Sequence, residues 1–170
     1  MENTHKSYVE LRLTPPEAFV FGGACLLHDS GLTIAAFPGG LQELKNTTVW
    51  RDAAALAGFP FQRNAMTEIP PEIELRLTFD VLRAIHANKA AELALQEWKG
   101  PGDQSHFLIE NLEIRRFYGS TIGLIASSHW WPIKEVELSL NRYLGPLPPF
   151  TDSRVDLLKL ACLLRVADAQ

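Results

Sequence analysis

Hydrophobic positions along the chain recur at helical rather than strand spacing. The segment Thr14-Pro15-Pro16-Glu17 combines a capping-box pattern with proline in the first turn, so a helix is expected from there to Asp29. A longer pattern runs from Glu72 to Trp98, with these apolar residues on one helical face: Leu75, Phe79, Leu82, Ala90 and Leu93. The first helix is apolar on nearly every face and is therefore predicted to be buried, whereas the second is predicted to bury one face.

Glycine and proline divide the rest of the chain into shorter segments. Further helices are predicted at 46–57, 105–117, 121–130 and 132–140, with a last one from Thr151 or Asp152 to the end. Residues 31–44 and 143–150 are predicted as loops. No strand pattern and no internal repeat is found, so we expect one all-α domain over 1–170, a bundle of about six to eight helices. Residues 45–70 are an expected insertion over the site, either a lid or a plain packing helix.

Composition limits the classes of function. The chain has 170 residues, of which 46% are hydrophobic and 21% charged, as is typical of a soluble globular domain. A net charge of -4 gives no general reason to expect nucleic-acid binding, although a local basic groove stays open. The longest apolar run, Ala18 to Leu27, is about half the length that spans a bilayer. With no signal-peptide core and with Cys25 and Cys162 in apolar runs, we predict a cytoplasmic protein with no membrane attachment.

Four predicted helices each direct a histidine or an aspartate toward the core. Taken singly, such a histidine is more often hydrogen-bonded to a carbonyl, and Asp168 could cap a neighbour or pair with Arg165. Together, the set favours a shared divalent cation. The residues are His28, Asp29, His86, His129 and Asp168. Without thiolates, the set suits Mn, Fe, Co, Ni, Zn or Mg, which activate water and polarise phosphoryl groups, so hydrolysis is the expected chemistry.

Four further side chains could contact a substrate. Arg83 lies three residues before His86, and Arg165 lies three residues before Asp168, so each could reach a phosphate or could pair with a surface carboxylate. The pair Trp130-Trp131 could stack a nucleobase or could serve packing.

The motifs Leu26-Leu-His-Asp-Ser-Gly31 and Leu163-Leu-Arg-Val-Ala-Asp168 resemble the HD-domain metal-dependent phosphohydrolase superfamily. Its order is a histidine, then His-Asp at a helix end, then a distant aspartate. The entry Leu13-Thr-Pro-Pro-Glu17 is similar to that of the HD subgroup associated with GHKL-type ATPase domains. The resemblance covers most of the chain.

The resemblance implies a role for each candidate. His28, Asp29 and Asp168 would be direct ligands, and His5 would be the leading histidine of the family pattern. His86 and His129 would hold a second ion or stabilise charge on the phosphoryl oxygens, so His86, His129 and Asp29 are the expected catalytic residues. One or two divalent ions would then act on a phosphomonoester, a phosphodiester or a nucleotide.

Departures from the family pattern leave a second hypothesis open. Leu32 stands where many HD enzymes have lysine, and no Gly-Tyr-Pro follows, which argues against a cyclic-di-GMP phosphodiesterase. The chain ends two residues after Asp168, which suggests a trimmed or split member that works with a partner subunit or as a homo-oligomer. The alternative function is a catalytically silent HD scaffold that senses a nucleotide or docks onto a partner protein.

Overall fold

The computed structural model describes residues 12–60 and 68–169, and nearly all of their regular structure is helical. The described residues contain seven α-helices: α1 (Pro15–Leu27), α2 (Gly40–Lys45), α3 (Thr48–Leu56), α4 (Pro71–Leu93), α5 (Leu112–Ser128), α6 (Ile133–Leu140) and α7 (Leu157–Asp168). Strands form two antiparallel pairs of two residues each: β1 (Trp98–Lys99) with β2 (Ser105–His106), and β3 (Tyr143–Leu144) with β4 (Val155–Asp156). The predicted all-α bundle of six to eight helices is confirmed.

Helix α5 lies at the centre of the bundle, against α1, α4 and α7. It passes through Gly119 without a break, so the prediction of two helices divided there is wrong. A Cβ at Gly119 would lie 2.5 Å from Leu95 Cδ2, and one at Gly123 would lie 2.1 Å from the carbonyl oxygen of Ala91. The glycines therefore serve the close approach of α4 and α5, which outweighs their low helix propensity.

The start of α1 is tied to the start of α7 through Glu17. As the capping-box pattern predicts, the Thr14 N–H donates to Glu17 Oε2 at 2.9 Å. The same buried carboxylate accepts hydrogen bonds from Asp156 N at 3.1 Å and from Lys159 Nζ at 2.6 Å. Burial alone would raise the pKa of Glu17, but these three hydrogen bonds outweigh burial and lower it below its ordinary value.

Helix α4 ends earlier than predicted, and its first half buries a different face. It stops at Leu93, and Trp98 belongs to β1 instead. Leu75 and Phe79, predicted as core, are 59% and 64% exposed. In this half of the helix α3 packs on the side that carries Leu77, so the buried face is rotated away from the predicted stripe, which holds from Leu82 onward.

The last helix begins at Leu157, five residues or more after its predicted start. Residues 155–156 pair with 143–144 as strands, which keeps this stretch extended. Asp156 then caps α7, its Oδ1 accepting from Lys159 N at 3.0 Å.

Smaller differences from the predictions concern residues 31–44 and Cys162. The predicted loop at 31–44 contains most of α2 and two short 3-10 turns, one of them at Ser30–Leu32. Cys162 is exposed rather than part of the core. Within the described ranges, no helix has both the length and the apolar character needed to cross a bilayer.

Candidate metal centre

The five described histidines and aspartates of the predicted site come together in space. His28 and Asp29 directly follow α1, His86 lies within α4, His129 follows the last residue of α5, and Asp168 ends α7. Five residues from four distant segments thus converge at one place. His5 lies outside the described residues.

Their ligand atoms form two groups that share Asp29. In one group, His28 Nε2 lies 3.6 Å from Asp29 Oδ2 and 3.4 Å from Asp168 Oδ1. In the other, Asp29 Oδ1 lies 3.8 Å from both His86 Nε2 and His129 Nε2. The ligand atoms within each group are no more than 4.8 Å apart, so each group could hold one ion.

Each of the three histidines is oriented by the same local hydrogen bond. The Nδ1 atoms of His28, His86 and His129 lie 2.9, 2.7 and 2.6 Å from the carbonyl oxygen three residues earlier in the chain. Because a carbonyl oxygen can only accept, Nδ1 carries a proton, and in the neutral ring Nε2 is then the nitrogen with a free lone pair. A metal-binding histidine is typically fixed in this way by a second hydrogen bond.

The pair His86 and His129 gives the clearest test of whether a cation fits. Their Nε2 atoms are 3.0 Å apart, and with both Nδ1 atoms donating to carbonyls this contact brings together two acceptors. Burial, aided by the neighbouring His86, lowers the pKa of His129 and keeps the imidazole neutral. Imidazole nitrogens and a carboxylate are ligands that a divalent cation accepts, so the residues present fit such an ion.

The imidazoles form the floor of the site and the carboxylates its open side. The side chains of His86 and His129 are buried, whereas those of Asp29 and Asp168 are 50% and 37% exposed. The prediction that Asp168 points into the core is wrong, because the last turn of α7 extends past the core to the surface. The site is therefore reached from the carboxylate side.

Gly31 brings the 3-10 turn after Asp29 against α4. A Cβ at this position would lie 2.3 Å from the carbonyl oxygen of His86 and 2.8 Å from its Cα. The absence of a side chain allows the turn to touch the main chain of α4, which places Asp29 beside His86. This role of Gly31 was not predicted, and the signal that could have shown it is a glycine two residues after the His-Asp pair.

Arg165 holds the end of α5. Its Nη1 donates to the carbonyl oxygens of Ser128, His129 and Trp131 at 2.9, 2.8 and 2.8 Å. The last carbonyls of a helix have no partner within the helix, and Arg165 donates to them in addition to the Trp131 N–H, which binds Ser128 O at 3.1 Å. Arg165 is thus bound to the segment that carries His129, and the phosphate contact that the sequence left open for it stays a prediction.

A pocket of about 190 Å³ opens over the two groups, and Arg83 and Trp130 lie at its edge. It is lined by Asp29, Leu32, Arg83, His86, His129, Trp130 and Asp168. Leu32 was not predicted to line the pocket, although the sequence marks its position as one where many HD enzymes have lysine. None of residues 45–60 lines the pocket, since α3 packs against the N-terminal half of α4. The lid role of 45–70 stays a prediction.

Comparison with known proteins agrees with this geometry. Neither the curated proteins nor the solved structures give a match. A family model described as HD-CE matches residues 6–170, a range that contains both motifs and all five clustered residues. The link to GHKL-type ATPases stays a prediction. The chain belongs to the HD-CE family of HD domains.

Proposed function

We propose that this protein is a metal-dependent phosphohydrolase that acts on a nucleotide or another phosphate ester. The observation that supports it best is the convergence of three imidazoles and two carboxylates from four distant segments, four of these five side chains lining one pocket. His28, Asp29, His86, His129 and Asp168 are the proposed ligands. A divalent ion bound there lowers the pKa of water and polarises a phosphoryl group.

Two ions that share Asp29 account for the arrangement. Oδ1 of Asp29 faces His86 and His129, and Oδ2 faces His28. Asp29 would therefore serve both groups if two ions bind, as in two-metal hydrolytic sites, where paired ions stabilise the attacking and leaving oxygens. Removing Asp29 should then affect both groups, whereas removing Asp168 should affect one.

Arg83 is the proposed phosphate-binding side chain. Its guanidinium is exposed and, among the described residues, makes no hydrogen bond or ion pair, while its carbonyl holds His86. It is the one cationic side chain among the described residues that line the pocket. Its planar fork suits two phosphoryl oxygens at once.

Metal analysis tests the proposal directly. We expect purified protein to bind Mn, Ni or another divalent ion in stoichiometric amount and to hydrolyse members of a phosphomonoester, phosphodiester and nucleotide panel. Asp29→Asn should lose both ions and turnover, and Asp168→Asn should lose one ion. The control is Asp80→Asn, an exposed carboxylate on α4 that lies near Arg76, and it should change neither.

The outcomes separate the proposal from its alternative. The proposed metal site is contradicted if the folded wild type binds no ion. It is also contradicted if the Asp29→Asn variant binds ions as well as the wild type does. Stoichiometric metal without turnover on any ester favours the silent scaffold that senses a nucleotide or docks a partner. The cytoplasmic location and the pairing with another subunit stay predictions from the sequence.

A further inference from the structure

The pocket over the metal ligands is too small for a complete organic substrate. Its volume is about 190 Å³, whereas pockets that enclose small molecules typically measure about 300 to 1,000 Å³. A phosphoryl group fits within it, beside the ligands and Arg83. The rest of the substrate must therefore lie at the rim, and the side chains there determine which alcohol or nucleoside the phosphate is attached to.

Trp130 forms the largest apolar part of that rim. Its indole is 57% exposed and stands edge-to-face against His86, with ring centroids 4.9 Å apart. Its main chain is held on both sides, because Trp130 N donates to Ser127 O and the carbonyl of Trp131 is bound by Arg165. The indole is thus positioned but uncovered, beside the place where a phosphoryl group would sit.

Such an arrangement suits one kind of group. An exposed indole contributes most binding free energy when a planar ring stacks on its face. Stacking accepts any base or aryl group, because each has a π-face. Arg83, on the same pocket, supplies the charge for the phosphate. Ring platform and guanidinium together match a phosphate joined to a planar aromatic group.

We propose that Trp130 is a specificity-determining residue that stacks the planar ring of the substrate, so that the preferred substrates are nucleoside phosphates or aryl phosphates rather than phosphates of sugars and polyols. This inference rests on the proposed function, since it names the substrate class of the same pocket. It assigns Arg83 to the phosphate that all such esters share and Trp130 to the ring that only some carry.

Binding is tested first, without turnover. The chain has four tryptophans, and the indole N–H signal of Trp130 is identified in an NMR spectrum by its loss in Trp130→Phe. Adenosine monophosphate should shift this signal through the ring current of the base, and glycerol phosphate should leave it in place. Equal shifts with both compounds, or none with adenosine monophosphate, overturn the proposal.

Kinetics then separates stacking from support of His86. Trp130→Ala should lower kcat/KM for adenosine monophosphate by roughly five- to 150-fold, chiefly through KM, and leave glycerol phosphate nearly unchanged. Trp130→Phe should restore most of the loss, because phenylalanine keeps a ring. Arg83→Met should weaken both substrates alike, and Arg116→Met, an exposed arginine on α5, should weaken neither.

Equal losses on both substrates in Trp130→Ala would mean that the indole only packs on His86, which overturns the proposal. If the wild-type protein hydrolyses no ester but adenosine monophosphate still shifts the Trp130 signal, the proposed function fails and the ring platform stands.

Discussion

Arg165 allows a quantitative prediction, because one guanidinium nitrogen serves three carbonyls at the end of α5. Arg165→Met keeps much of the side-chain length and removes the donors. A hydrogen bond from a charged group contributes about 1.5 to 3 kcal/mol, and Nη1 has two N–H bonds to share. Because Arg165 is half-buried, we take the low end of that range, so the variant should lose about 3 kcal/mol of unfolding free energy.

Urea unfolding and thermal melting measure this change. For a domain of this size a loss of about 3 kcal/mol corresponds to a fall in Tm of roughly 6 to 12 °C. Because His129 sits at the loosened helix end, metal affinity should also fall by about tenfold or more. Arg165→Lys keeps the charge and should recover part of both losses. If Arg165→Met matches the Arg116→Met control within about 0.5 kcal/mol, the carbonyl contacts contribute nothing and the reasoning is refuted.

Three further predictions concern Gly31, Glu17 and the metal. Gly31→Ala should lower the free energy of unfolding by about 1 to 3 kcal/mol and weaken metal binding, since its Cβ meets the main chain of His86. The control Gly22→Ala has open space around its Cβ and should lose no stability, so equal melting curves for the two variants would contradict this prediction. Glu17 has a lowered pKa, so its stabilising effect is complete above the ordinary glutamate pKa and is lost as pH falls through the folded value. Glu17→Gln should therefore be less stable than wild type near neutral pH in urea titrations, and the gap should close in acid; a gap that does not depend on pH would exclude this linkage. Saturating Mn²⁺ at about 100 times its dissociation constant should stabilise the wild type by about 2.7 kcal/mol over chelated protein, and Asp29→Asn should show no such gain in Tm.

The sequence predicts most of the helices and the five histidines and aspartates that cluster in the structure, but not how the cluster is built. His28-Asp29, His86 and His129 are found because polar residues interrupt apolar patterns, which is a local signal. The prediction fails where distant contacts decide. Gly119 looks like a helix break in the sequence, but in the structure it allows the residues after α4 to pack against α5. Leu75 and Phe79 fit the apolar stripe, but they are exposed because α3 packs on the neighbouring side of α4. Likewise, Arg165 becomes a support for α5 only when α5 and α7 are brought together.

The tight packing of α4 against α5 bears on the spacing of the two buried imidazoles. His86 lies in α4 and His129 directly follows α5, and the two helices touch near Gly123, where a Cβ would lie 2.1 Å from the carbonyl oxygen of Ala91. This contact limits how far one helix can shift against the other. If a divalent ion binds to the pair as proposed, a restricted spacing would favour some ionic radii over others.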